Sequence, residues 1–187
     1  MKTRAYSMEL RAAAAEATRE RILAAASEAF LEGWYDEVTI ALVADRAGVS
    51  GQTVLNHFGG KEQLAAAAYD AMSEQIVSGR YTPEPGDVTG AVEAVVDDYE
   101  TTGDAVVRLL ALEERMPSLQ PLLARGRKGH RDWVEAMFRA PELTPELVVA
   151  TDVYTWKLLR RDQGLSRDET VASILKIVEA LLERRTR

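Results

Sequence analysis

The chain holds 187 residues with no cysteine and carries a formal net charge of −7 at pH 7. That length can bury a core unaided, and the missing cysteines exclude disulfide staples and thiolate chemistry and fit a reducing compartment. No apolar run nears the roughly 20 residues that span a bilayer, and the opening MKTRAYSMELR lacks the apolar stretch of a secretion signal, so a soluble, cytoplasmic protein without a membrane partner is expected.

Apolar residues recur at helical spacing almost throughout, and alternating runs bounded by turns are missing, which predicts an all-α fold. A first helix is expected from Glu9 or Thr18 to Glu32, with Ile22, Leu23, Ala26, Ala29 and Phe30 on one face and Gly33 as its stop. Thr39 is placed to cap a short helix that carries Ile40, Val43, Ala44 and Ala47 inward and ends at Gly48. Ser50 caps a third helix to about Phe58, and Gly59-Gly60 separates it from a fourth that starts at Lys61 and runs towards Ser78. The segment GRYTPEPGD, Gly79 to Asp87, combines two prolines with two glycines and reads as a linker.

Beyond the linker, helices are expected over 88–102 and 104–115, then a break at Met116-Pro117 and a helical region over 118–139. Thr144-Pro145-Glu146 supplies an N-cap, a first-turn proline and an acid at the positive helix end, for a helix closed by Gly164. Ser166-Arg167-Asp168-Glu169 is a capping box for a final helix bearing Val171, Ile174, Leu175, Val178, Leu181 and Leu182. The expected organisation is a three-helix head over 1–60, a connecting helix over 61–78 and a helical bundle over 79–187.

Two short helices joined by Ala47-Gly48-Val49-Ser50 form a helix-turn-helix, the arrangement that lets its second helix enter a DNA major groove. At about 100° per residue, Val54 and Phe58 point into the head, which leaves Gln52, Thr53 and Asn56 on the opposite face. Gln and Asn pair with adenine and the Thr methyl meets the thymine methyl, so these three are the candidates for base contact. Thr39, His57 and Lys61 at the rim, with Arg4 and Arg11 on the N-terminal arm, suit phosphate contact. A solvated polar face is the alternative reading of Gln52 and Asn56, and a surface or capping role that of His57.

Net acidity opposes a nucleic-acid partner, since Lys and Arg usually supply that affinity. The acid is unevenly spread: residues 81–114 hold nine acidic side chains against the single Arg108, a net of −8. Residues 1–80 still hold eleven acids and eight bases, so any DNA face must be positive only locally.

Residues 18–70 resemble the N-terminal domain of TetR-family repressors. The likeness rests on the order of its parts: IL, AA and FLEG in the first helix, Thr39 before the second, AGVS at the turn, His57-Phe58, and KEQL opening the fourth. The QTVLNHF wording is similar to a subset of actinobacterial members, and residues 95–165 resemble the same subset's C-terminal domain more loosely. The pattern departs from the family at Gly51, one position early, at Gln52 in a usual Gly position, and at Leu55 in place of a Tyr whose contact is not carried over. The resemblance implies a homodimer on a partly palindromic operator, usually a repressor released by a small-molecule effector. It also implies an effector cavity among the helices that carry Tyr99, Leu109, Leu112 and Met116, and Trp133, Met137, Phe138 and Tyr154. Ordinary core packing is the competing explanation for each of these.

The last two helices present more apolar surface than one packing face requires, and Val149, Val153, Trp156, Leu175, Val178 and Leu182 are the expected dimer contacts, with completion of the chain's own core as the alternative reading of each. Residues 115–131 carry five Lys or Arg and His130 without an acid, facing an anionic ligand, the acidic stretch or solvent. Two histidines, no Glu-x-x-His and no phosphate loop leave no catalytic residue, metal or cofactor to expect. The acids Asp97, Asp98 and Glu100 are better explained as a solvated helix face than as a magnesium site. A bundle that binds a protein partner and no small molecule remains the alternative to an effector domain, and a small helical enzyme a remoter one.

Overall fold

The computed structural model describes the backbone of residues 2–185, and the side chains over that span apart from 2–9, 73–77 and 185. Among the described residues the fold is all α-helical, without a strand. The helices are α1 (Lys2–Glu32), α2 (Ile40–Ala47), α3 (Gly51–Phe58), α4 (Lys61–Arg80), α5 (Val88–Leu110), α6 (Gln120–Phe138), α7 (Thr144–Ala150), α8 (Val153–Lys157) and α9 (Arg167–Arg185). The chain divides into two compact units, 1–73 and 74–187, with the division inside α4.

In the first unit Ile22, Ala26 and Ala29 of α1 meet Val43, Ala44 and Ala47 of α2, Val54 of α3, and Leu64 and Ala68 of α4 in one buried cluster. The alanines let the helices approach closely around the larger Ile22, Val43, Val54 and Leu64. Polar caps set the ends of α2 and α3. The Thr39 hydroxyl accepts the Leu42 N–H at 3.1 Å, and the Ser50 hydroxyl accepts the Thr53 N–H at 3.1 Å. Such a cap is worth about 1 kcal/mol. Between them Gly48 takes φ 65°, a left-handed conformation that costs a side chain strain, while the Val49 N–H returns to the Ala44 carbonyl at 2.9 Å.

The first helix starts at Lys2 rather than at Glu9 or Thr18, and α4 continues past Ser78 to Arg80. The expected helices 88–102 and 104–115 are one helix, α5, because Gly103 does not break it. Gly103 is buried and faces the indole of Trp156, which leaves no room for a side chain.

The second unit buries Val92, Val95 and Val96 of α5 against Trp133 and Met137 of α6, Leu147 of α7, Trp156 of α8, and Ile174 and Val178 of α9. The helix expected to run to Gly164 is interrupted after Ala150. Asp152 caps α8 by accepting the Tyr154 N–H at 2.8 Å, and a π-helical turn over Leu158–Asp162 follows before Gly164 closes the segment at φ 71°. Thr144 does not act as a cap: it is the first residue of α7, and its buried hydroxyl finds no partner among the described residues. The capping box does form, with the Ser166 N–H donating to Glu169 at 2.8 Å and the Glu169 N–H to the Ser166 hydroxyl at 3.3 Å.

Candidate nucleic-acid interface

Burial of Val54 orients α3. With that side chain fully enclosed and Phe58 half-buried against the same cluster, Gln52 and Asn56 emerge on the far side, both exposed, with Thr53 half-exposed beside them. The two amides are joined: Gln52 Nε2 donates to Asn56 Oδ1 at 2.9 Å. The Thr53 hydroxyl lies 2.8 Å from the Ser50 hydroxyl, so it is committed to the turn while its methyl stays outside that contact. Leu55, 38% exposed, stands where the helical wheel puts it, about 60° from Gln52. The same wheel would have found it; attention to polar side chains alone passed it over.

The rim residues differ in what they have left to offer. Thr39 uses its oxygen as a cap and keeps its hydroxyl proton to donate. His57 is half-exposed, its ring tilted against Phe58 at 6.3 Å. The Lys61 ammonium sits 4.5 Å from the centre of the Tyr35 ring, and burial there lowers its pKa against the opposing pull of Asp36. Arg19 is similarly stacked, 5.4 Å from Phe58, and Arg46 is paired with Glu32 at 2.8 Å. Arg11 is exposed on α1. The Arg4 side chain lies outside the described residues.

Residues 22–68 match the family described as "Bacterial regulatory proteins, tetR family". The chain is 29% identical over 151 residues to the HTH-type transcriptional activator FasR of Mycolicibacterium smegmatis, a match over 79% of this chain and 61% of FasR. It therefore spans less than two thirds of that relative. Identity to the HTH-type transcriptional regulator TcmR of Streptomyces glaucescens is 24% over 184 residues, covering 89% of this chain and 81% of TcmR. A TetR-family regulator from Rhodococcus sp. superposes with a TM-score of 0.71 at 16% identity, over 88% of this chain and 98% of that one, a likeness of fold.

The chain is thus similar to the TetR family of transcriptional regulators over residues 22–68, the span that holds the helix-turn-helix. Its relatives are regulators and not enzymes, and among the described residues no helix is long and apolar enough to cross a membrane.

The second unit joins only some of the residues expected around an effector. Tyr99, Trp133, Met137 and Phe138 belong to one buried cluster, with Trp133 edge-on to Phe138 at 5.6 Å. Leu112 is buried outside that cluster, Leu109 and Met116 are half-buried, and Tyr154 is 49% exposed and does not line an interior.

A polar network that sequence reasoning missed runs beside the cluster. Arg80, whose side chain is 12% exposed, donates through Nε to Asp98 at 2.6 Å and also through Nη2, while Nη1 lies 3.2 Å from His130 Nδ1. A guanidinium only donates, so Nδ1 must accept. His130 Nε2 meets the Thr151 hydroxyl at 3.2 Å, and that hydroxyl donates to the Leu147 carbonyl at 2.7 Å, so Nε2 carries the proton. Burial, and then the Arg80 cation, push the His130 pKa down to about 3. Burial opposes the Arg80 charge too, yet Tyr99 and Asp98 hold its pKa above the usual range. Burial also pushes the Tyr99 phenol up to about 12 against the pull of Arg80.

Paired arginines likewise account for the acids that hinted at magnesium: Asp97 accepts from Arg167 at 2.7 Å and Glu100 from Arg160 at 2.9 Å. The basic stretch is tied down within the unit, Arg127 to Glu113 at 2.6 Å, Lys128 to Asp132 at 2.5 Å and Arg131 to Glu135 at 3.3 Å.

The expected dimer contacts divide in the same way. Val153, Trp156 and Val178 are enclosed in the protomer's own core and have no surface to give a partner, a correction to their assignment. Leu175 and Leu182 are half-buried. Among the described residues, exposed aliphatic side chains in this part of the unit include Val149 at 67%, Leu158 at 55% and Ile177 at 44%.

Proposed function

We propose that this chain is a homodimeric operator-binding regulator that acts as a repressor and is released by a small-molecule effector. In this reading α3 enters the major groove, where Gln52, Thr53 and Asn56 contact base edges. Thr39, His57 and Lys61 hold phosphates on either side, with Arg4 and Arg11 adding charge along the backbone. The observation that supports it best is the turn between Ala47 and Gly51, which holds Val54 inside the head and presents two amides outward. FasR is named an activator, so the sign of control needs its own readout: a reporter behind the bound site, with repression expected when the chain is expressed.

Dimerisation is assigned to the exposed apolar side chains Val149, Leu158 and Ile177, with Leu175 and Leu182 at their margin. The effector is assigned to the Tyr99, Trp133, Met137 and Phe138 neighbourhood, with Leu109, Leu112 and Met116 as outlying contacts. An effector weakens operator binding only as far as it prefers one state, about 1–3 kcal/mol, or roughly 5- to 150-fold. The experiment is selection of duplexes from a randomised pool, followed by electrophoretic shifts of the enriched sequence. A pseudo-palindrome with half-sites related by about one helical turn or a multiple of it is expected. Enrichment no greater than that of competitor DNA would overturn the reading.

A further inference from the structure

Both amides on the outer face of α3 are exposed to water, which satisfies either of them without the other. They are nonetheless hydrogen-bonded, Gln52 Nε2 to Asn56 Oδ1 at 2.9 Å. Four residues apart on a helix, they stand almost one above the other. The link has a chemical consequence that does not depend on which amide donates. A primary amide carries two N–H donors and two acceptor lone pairs, and the bond consumes one donor and one lone pair. The joined pair therefore keeps free N–H groups and free carbonyl lone pairs, oriented together instead of separately.

Among the described residues no other side chain is hydrogen-bonded to either amide. Ser50 holds the Thr53 hydroxyl at 2.8 Å, and Leu55, exposed on the Gln52 side, has no polar atom to offer. Among the four bases, adenine presents one donor and one acceptor side by side in the major groove, N6–H and N7. Guanine presents two acceptors, and thymine an acceptor beside a methyl group. We propose that Gln52 and Asn56 act as one linked reader of a single adenine·thymine base pair, and not as independent readers of two positions. This rests on the DNA-binding reading above and adds to it the division of labour within the recognition helix.

The test uses the full chain and the duplex enriched from the randomised pool. Affinities of the unmodified chain, Gln52→Ala, Asn56→Ala and the double variant are measured against every single base-pair substitution in one half-site. Both side chains face solvent and alanine favours a helix, so the variants keep the fold, which their melting temperatures check. The expected result is that both single variants lose discrimination at the same base pair, by about 5- to 150-fold. The double variant should lose little more than the worse single one. Placing 7-deazaadenine at that position, which removes the N7 acceptor, should weaken the unmodified chain and leave the double variant unaffected. Losses at two different base pairs that multiply in the double variant would overturn the proposal, as would unchanged discrimination everywhere in variants that still bind. A chain that enriches no duplex at all would overturn the DNA-binding reading itself, and this inference with it.

Discussion

Trp156 lies against Gly103 so closely that a Cβ on the glycine would stand 2.5 Å from Cζ3 of the indole. The indole N–H is held in turn by Glu100, one helical turn earlier on α5, at 2.9 Å. The glycine is thus the socket for the largest side chain of α8, and this contact explains why a glycine persists inside a long helix.

Gly103→Ala should therefore destabilise the protein. An exposed helix interior would gain about 1 kcal/mol from the exchange, but overpacking of this kind costs about 1–3 kcal/mol. A lower urea midpoint followed by tryptophan fluorescence is expected; a midpoint equal to or above the parent would show that the indole is not confined there.

His130 makes stability depend on pH. Its folded pKa, about 3, lies below the ordinary 6.5 because burial, and then the Arg80 cation at Nδ1, disfavour the charged ring. Between those values the unfolded chain binds the proton and the folded chain does not, so this contribution is complete above about pH 6.5 and is lost as the pH falls. The loss should reach about 1–2 kcal/mol by pH 5. His130→Gln, which still accepts from Arg80 and donates to Thr151, should flatten the parent's decline over pH 5–7 in urea titrations. Parallel profiles for the two proteins would contradict the assignment.

Lys61 is proposed to contact phosphate without reading sequence, and its ammonium rests on Tyr35 in the free protein. Lys61→Ala should weaken specific and scrambled duplexes by similar factors and reduce the slope of log affinity against log salt by about 1. A loss confined to particular base pairs would place Lys61 among the base readers instead.

Ile177 and Leu158 are exposed in the protomer, so charging them leaves its core intact. Ile177→Asp and Leu158→Asp should convert a dimer to a folded monomer, seen by light scattering together with an unchanged helical spectrum. A dimer that survives both substitutions would move the interface to another face.

The local punctuation of the chain was legible because its signals are short-range. Thr39, Gly48, Ser50 and the Ser166–Glu169 box each act within four residues, and each occurs in the structure as the residues suggest. The outward amides of α3 were legible for a similar reason, since a helical wheel needs only Val54 and Phe58 to set its direction. Long-range packing was hidden. Nothing beside Gly103 in the sequence announces Trp156, so a helix break was the natural reading. Trp156, Val153 and Val178 have the spacing of an exposed apolar stripe, and only the course of α5 behind them makes that stripe interior. The Arg80 network joins residues 18 to 53 positions apart, beyond the reach of any local pattern.

The most direct measurement is fluorescence anisotropy of the enriched duplex against a scrambled duplex of equal composition, titrated with the full chain from 50 to 200 mM salt. A preference of at least about a thousandfold at physiological salt is expected, with affinities for both duplexes falling steeply as salt rises. Equal affinity for the two duplexes across the whole salt range would contradict sequence-specific recognition by the helix that carries Gln52, Thr53 and Asn56.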